Sequence, residues 1–217
     1  MGLQEQLDMF RAGFARTAPS GRVELYEARI EDLRAGFALE EAVGAGDKAP
    51  DFSLPDVRGN PVSLSDLLLR GPVVVTFYRG GWCPYCNIQL RAYQTILPEM
   101  GALGARLVAI SPQVPDGSLS TAQTNALTFD VLSDVGNAVA HRYGHVYALL
   151  EDLRDALRSN NKALPAINGD ESWELPVPAT YVIAPDGHVA LANIEVDYRK
   201  RLEPDAILAA VKSLRAV

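Results

Sequence analysis

The sequence predicts an α/β fold: a central mixed β-sheet with helices on both faces, preceded by a helical N-terminal extension. Three observations carry that expectation. An apolar run from Pro72 to Tyr78, a helical pattern and a second apolar run at 106–111 make a β-α-β unit, whose crossover favours parallel strands. Two further runs, Thr180-Tyr181-Val182-Ile183 and 189–194, flank Pro185-Asp186-Gly187, a hairpin signal that adds antiparallel pairing. The opening residues carry helical periodicity: Leu3, Leu7, Phe10 and Phe14 recur at spacings of four, three and four.

Beyond the break at Thr17-Ala18-Pro19-Ser20-Gly21, a second stripe runs through Val23, Tyr26, Ile30, Leu33 and Phe37. Both stripes are too short for a free coiled coil, so the pair is expected to dock on the rest of the chain or on a second copy in a homodimer. Residues 1–43 are read as this extension and 44–217 as the main domain, divided at Val43-Gly44-Ala45-Gly46. Short extended segments are expected at 51–54 and 62–64, split by the Arg58-Gly59-Asn60-Pro61 turn. After the 72–78 strand come Gly80 and Gly81, then Cys83-Pro84-Tyr85-Cys86. A helix follows on Leu90, Tyr93, Leu97 and Met100, kinked near its end by Pro98. Helices are expected at 118–127, 135–142 and 149–158, with a short strand at 129–132. The closing helix begins at Pro204 and puts Ile207, Leu208, Val211 and Leu214 on one face.

Composition narrows the partners. The net charge of −7 and the lack of a basic cluster argue against nucleic acid or an anionic membrane. No apolar run approaches the roughly 20 residues of a membrane helix. The N-terminus lacks a basic and apolar leader, and Gln6 stands where a myristoylation signal wants Ser or Thr, so a cytoplasmic protein is expected. In a reducing compartment, the two cysteines read as redox-active or metal-binding rather than as a permanent staple.

Cysteine reacts as the thiolate, so a catalytic cysteine needs its pKa lowered from about 8.5. Cys83 falls between a strand and a helix start, with Pro84 suited to the first helical position. Cys83 is then the N-cap, facing free N–H groups and the positive end of the helix dipole. Arg79 is near enough in sequence to add positive charge. Cys86 lies one turn on, on the same face, placed to close a disulfide. Trp82 and Tyr85 supply a partly apolar surround. Other readings are a zinc site joining Cys83 and Cys86 to His141 and His145, which Gly144 weakens, and two cysteines packed as small hydrophobes. The three histidines, His188 included, read as structural. Pro178, just before a strand, sits where a cis bond would serve a tight turn.

The stretch Gly46-Asp47-Lys48-Ala49-Pro50-Asp51-Phe52-Ser53-Leu54-Pro55 resembles the entry segment of the AhpC/TSA (peroxiredoxin) family. The segments Phe77 to Cys86, Leu164 to Asp170, Ser172-Trp173 and Pro178 to Ile183 resemble its Cys-x-x-Cys-bearing branch. The resemblance implies a thioredoxin-like fold, with Cys83 as the peroxidatic thiol and Cys86 as the resolving one. It implies a hydroperoxide substrate, an intramolecular disulfide, a thioredoxin-type or glutathione reductant and no cofactor. Two slots depart from the family pattern. Gly80 stands where a Thr or Ser orients the peroxide, and Pro178 stands where an Arg is usual and instead resembles the cis proline of thioredoxins. Both departures keep a second expectation open, exchange with a protein disulfide. A third is a non-catalytic redox sensor that uses the helical arm.

Overall fold

The computed structural model describes residues 1–214. Helices α1 (Leu3–Thr17) and α2 (Arg22–Gly36) form the extension, turned by Gly21 at φ 76°. A small antiparallel hairpin follows, β1 (Ser53–Pro55) and β2 (Pro61–Ser63), leading into α3 (Leu64–Leu68), whose first turn is capped by the Ser63 hydroxyl. Then come β3 (Val73–Phe77), α4 (Pro84–Thr95), α5 (Leu97–Ala102), β4 (Arg106–Ser111), α6 (Pro115–Thr124) and β5 (Asp130–Ser133). The chain continues through α7 (Ala138–Arg142), β6 (Val146–Ala148), α8 (Glu151–Arg158), α9 (Leu164–Asn168) and β7 (Glu174–Pro176). It ends with β8 (Ala179–Ile183), β9 (Val189–Ile194) and α10 (Pro204–Ser213).

The central sheet has the order β5-β4-β3-β8-β9. β3 pairs parallel with β4 and antiparallel with β8, so the sheet is mixed as expected. All five β3 residues are buried, because the strand is central and covered on both faces. Val74 and Tyr78 face a core shared with α1, α4, α5 and α10, while Val73, Val75 and Phe77 face one shared with α3 and α7.

Several expected elements are shorter than the sequence pattern suggested. The helix after the cysteines breaks at Ile96, and Pro98 starts the short α5 instead of kinking one rod, since proline has no N–H to donate within a helix. The 135–142 segment opens as a 3-10 turn with Gly136 and Asn137 at positive φ. Only α7 is regular, capped by Asp134, whose carboxylate accepts from Val139 N and Ala140 N. The two-stranded β6–β7 sheet and α9 carried no periodicity from which to read them.

The extension docks on its own chain. Leu3 and Leu7 of α1 enter the core beside Leu90, Ile207 and Val211. The Glu203 carboxylate, at the cap of α10, accepts from Leu3 N (3.0 Å) and Gln4 N (2.8 Å), so one helix start satisfies the free N–H groups of another. α2 lies against α8, where Arg22 donates to Ala156 O (2.8 Å) and Arg29 pairs with Asp152 (3.0 Å). Glu27 of α2 also holds Arg199, which is shared with Asp197.

Candidate active site

The chain leaves the centre of the sheet at Tyr78, whose N–H still donates to Ile110 O, and turns through two glycines that the packing requires. Gly80 has φ 134°, and a Cβ there would come within 2.5 Å of the Trp82 indole nitrogen. A Cβ on Gly81 would stand 2.1 Å from Thr121 Oγ1. The hydroxyl-bearing slot of the family pattern is therefore filled by the Trp82 ring. The turn is pinned by Gly81 N donating to Gln113 Oε1 (2.6 Å) and by Asn87 Nδ2 donating to Gly81 O (2.8 Å).

Cys83 is the N-cap of α4 with Pro84 in the first turn, as the sequence predicts. Its carbonyl accepts the first helical bond, from Asn87 N. The sulfur makes no full side-chain capping bond to the helix, but the Cys86 backbone N–H at the helix start adds to the groups that lower its pKa. Its other partners are side chains. Both cysteines are free and buried, at 2% and 0% exposure.

A hydrogen bond from the Cys86 thiol, together with the charges of Arg79 and Arg201, holds the Cys83 thiol well below its usual range despite burial. Burial and the neighbouring Cys83 charge push Cys86 in the opposite direction, so it keeps its proton. Arg79 Nη1 lies 4.0 Å from Cys83 Sγ, and its guanidinium stacks near the Tyr198 ring (4.1 Å) and the Trp82 ring (5.0 Å). Arg201 Nη2 lies 3.6 Å from Cys86 Sγ, while its Nε donates to Gln89 Oε1 (2.7 Å). Gln89 in turn donates to Thr76 Oγ1, which meets Thr180 Oγ1 across the β3–β8 ladder.

Neither buried arginine pairs with a carboxylate among the described residues. A buried guanidinium without an anion is costly, and a thiolate on Cys83 supplies the missing charge.

Of the residues singled out from the sequence, Arg79, Gly80, Trp82, Cys83, Pro84, Tyr85 and Cys86 come together. Tyr85 also anchors the extension, its ring edge-on to Phe10 (5.0 Å) and to Tyr198 (5.6 Å). Pro178 does not take the cis form considered for it, since no described peptide bond is cis; it is an ordinary strand-start proline whose carbonyl accepts from Glu195 N in an extended run into β8. Arg201 escaped the sequence reading, since nothing in Asp197-Tyr198-Arg199-Lys200-Arg201 marks one cation as buried.

No three His, Cys, Asp or Glu side chains converge on a metal-sized point among the described residues, so the weighed zinc set is not assembled. His141 pairs with Glu174 (2.7 Å) and His188 with Asp186 (3.3 Å). His145 is buried edge-on to Phe77, its pKa pushed down to about 4 by desolvation.

A profile of the AhpC/TSA family matches residues 45–192. A Mycobacterium tuberculosis protein whose name assigns it to the peroxiredoxins is 34% identical over 148 residues, 67% of this chain and 89% of that protein. Chloroplastic Peroxiredoxin Q of Sedum lineare is 29% identical over 177 residues, 80% of each chain. The crystal structure of Peroxidoxin BcpB from Mycobacterium tuberculosis superposes with a TM-score of 0.62 at 26% identity, covering 79% of this chain and 97% of that one. The thioredoxin-like fold expected from the sequence is the fold observed.

Proposed function

The chain belongs to the AhpC/TSA family, and from that footing we propose that it is a thiol-dependent peroxidase, an antioxidant enzyme with Cys83 as attacking thiolate and Cys86 as resolving thiol. The observation that carries the reading is the opposite poise of the two thiols, one turn apart. The Cys83 thiolate attacks the terminal oxygen of a hydroperoxide. An S–O bond forms, the O–O bond breaks, and the leaving alkoxide takes a proton from water. The peroxide gains two electrons and Cys83 becomes a sulfenic acid. Cys86 then attacks that sulfur; an S–S bond forms, the S–O bond breaks, and hydroxide leaves as water with the Cys86 proton. A dithiol reductant of the thioredoxin type restores both thiols by exchange, and glutathione serves the same chemistry.

Arg79 and Arg201 replace the activating groups whose usual slots hold Gly80 and Pro178. Both present charge to the sulfurs. Exchange with a protein disulfide is the second reading, favoured by the Cys-x-x-Cys spacing. The 2% exposure of Cys83 favours a small substrate over a folded one. No helix among the described residues is long and apolar enough to cross a membrane, and a cytoplasmic location suits a dithiol that must be kept reduced.

The test is stopped-flow oxidation of the reduced protein by hydrogen peroxide. We expect Cys83 to react at least 100-fold faster than a free thiol, with a sulfenic acid that persists in Cys86→Ser and is absent in Cys83→Ser. Oxidation at the rate of a free thiol would overturn the peroxidase reading in favour of exchange.

A further inference from the structure

The apolar stripe of α2 does not close a core. Val23, Tyr26, Ile30 and Leu33 line a cavity of ≈ 340 Å³, with Phe14 of α1 and Leu153 of α8 among the facing residues. Cys83, Arg79 and Trp82 belong to the same lining, so the cavity reaches the active-site turn at Cys83. Its volume lies in the range of sites for organic ligands, about 300–1,000 Å³, and far exceeds the needs of hydrogen peroxide, which has two heavy atoms.

The charges on the lining are just as selective. Glu27 is its single acid, against Arg11, Arg29, Arg79, Arg199 and Lys162. Arg11 and Arg199 are paired with Glu27, Arg29 with Asp32 and Asp152, and Arg79 faces Cys83. Lys162 has no carboxylate partner among the described residues. Its Nζ donates to Trp82 O (2.9 Å), which keeps it beside the active-site turn.

We propose that this cavity seats the hydrocarbon part of an anionic organic hydroperoxide, its charge beside Lys162 and its terminal oxygen at Cys83, which makes the α1–α2 hairpin a wall of the substrate site. This rests on the peroxidase reading and follows its chemistry, the product being the corresponding alcohol. The wall lies outside the segment that the family profile matches, which begins at residue 45. A hydrophobic pocket discriminates by about 10–200-fold for a well-seated group, so selectivity of that order is expected.

The experiment compares kcat/KM for hydrogen peroxide, cumene hydroperoxide and its ring-carboxylated analogue, which is nearly equal in bulk. Cumene hydroperoxide should exceed hydrogen peroxide by about tenfold or more, and the carboxylate should exceed cumene by a further about threefold. Leu33→Trp, which fills the cavity, should lower the cumene-to-hydrogen-peroxide ratio at least fivefold, and Lys162→Gln should bring the carboxylate-to-cumene ratio down to about one. Equal rates for all three peroxides, or a ratio that Leu33→Trp leaves unmoved, would overturn the proposal.

A binding arm keeps the two readings apart. In Cys83→Ser, 8-anilinonaphthalene-1-sulfonate should bind at one site per chain, and the added Leu33→Trp should abolish it. If no peroxide is reduced, the peroxidase reading falls, and the substrate role falls with it. Dye bound in one copy and lost on filling would then support only the cavity as a site for anionic apolar ligands, and no binding would overturn that too.

Discussion

The two halves of the dithiol site are built from the same parts and poised in opposite directions. Cys83 and Cys86 share a helix, are both buried, and each has a carboxylate-free arginine within 4.0 Å of its sulfur. Yet Cys83 is held in the thiolate form while Cys86 keeps its proton. One negative charge balances the site better than two, because a second buried thiolate would meet both desolvation and the first one's repulsion. Which sulfur takes the charge is decided by position. Cys83 sits at the open end of α4 and receives a hydrogen bond from Cys86, which lies a turn deeper.

The largest test of that contrast removes the charge beside Cys83. A thiol with a lowered pKa reacts at a constant rate above that pKa and slows as pH falls through it. Arg79→Met moves that fall to higher pH, so alkylation by iodoacetamide at pH 6 should drop about twofold if the pKa rises by one unit and about tenfold if it rises by two. An unchanged rate-against-pH profile would mean that Cys86 and Arg201 set the poise without Arg79.

A smaller effect is expected on the other half. Arg201→Met removes a charge that favours ionisation of Cys86, so disulfide formation after a single equivalent of peroxide should slow by several-fold up to about tenfold. The initial oxidation of Cys83 should suffer less than in Arg79→Met. Arg201→Lys should restore part of the rate and not all, since an ammonium cannot hold Gln89 and the sulfur in the same fork. If resolution keeps its native rate in Arg201→Met, the second arginine serves only the core.

The smallest effect sharpens the contrast by leaving it alone. Glu203→Ala uncaps α1 without removing a group that touches either sulfur and should cost about 1 kcal/mol in urea unfolding, with the alkylation profile unchanged. A shifted profile would show that docking of the extension reaches the thiols.

Much of this was legible in the chain. The β3–Cys83–α4 passage is local: a buried run, two glycines and a proline fix the strand exit and helix start within a dozen residues. The hairpin around Asp186-Gly187 and the Pro204 helix are local for the same reason. Elements of three to five residues such as β6, β7 and α9 are held by distant partners and have no room for a period.

The two N-terminal helices mark where sequence stops deciding. Both are 15 residues long and both carry apolar stripes, so the sequence determined that each has a face to bury. Tertiary structure sent Leu3 and Leu7 into the core and left the α2 stripe on a cavity, because periodicity specifies which face is apolar and not what meets it. Arg201 follows the same logic. It reaches Cys86 across 115 positions, and only the folded chain could bring a surface-type residue beneath a buried sulfur. The sequence by itself determined the cysteine at the strand exit, its helix and the fold class. The charge that poises the second thiol and the wall over the first were decided by packing, since burial belongs to the assembled chain and not to any one segment.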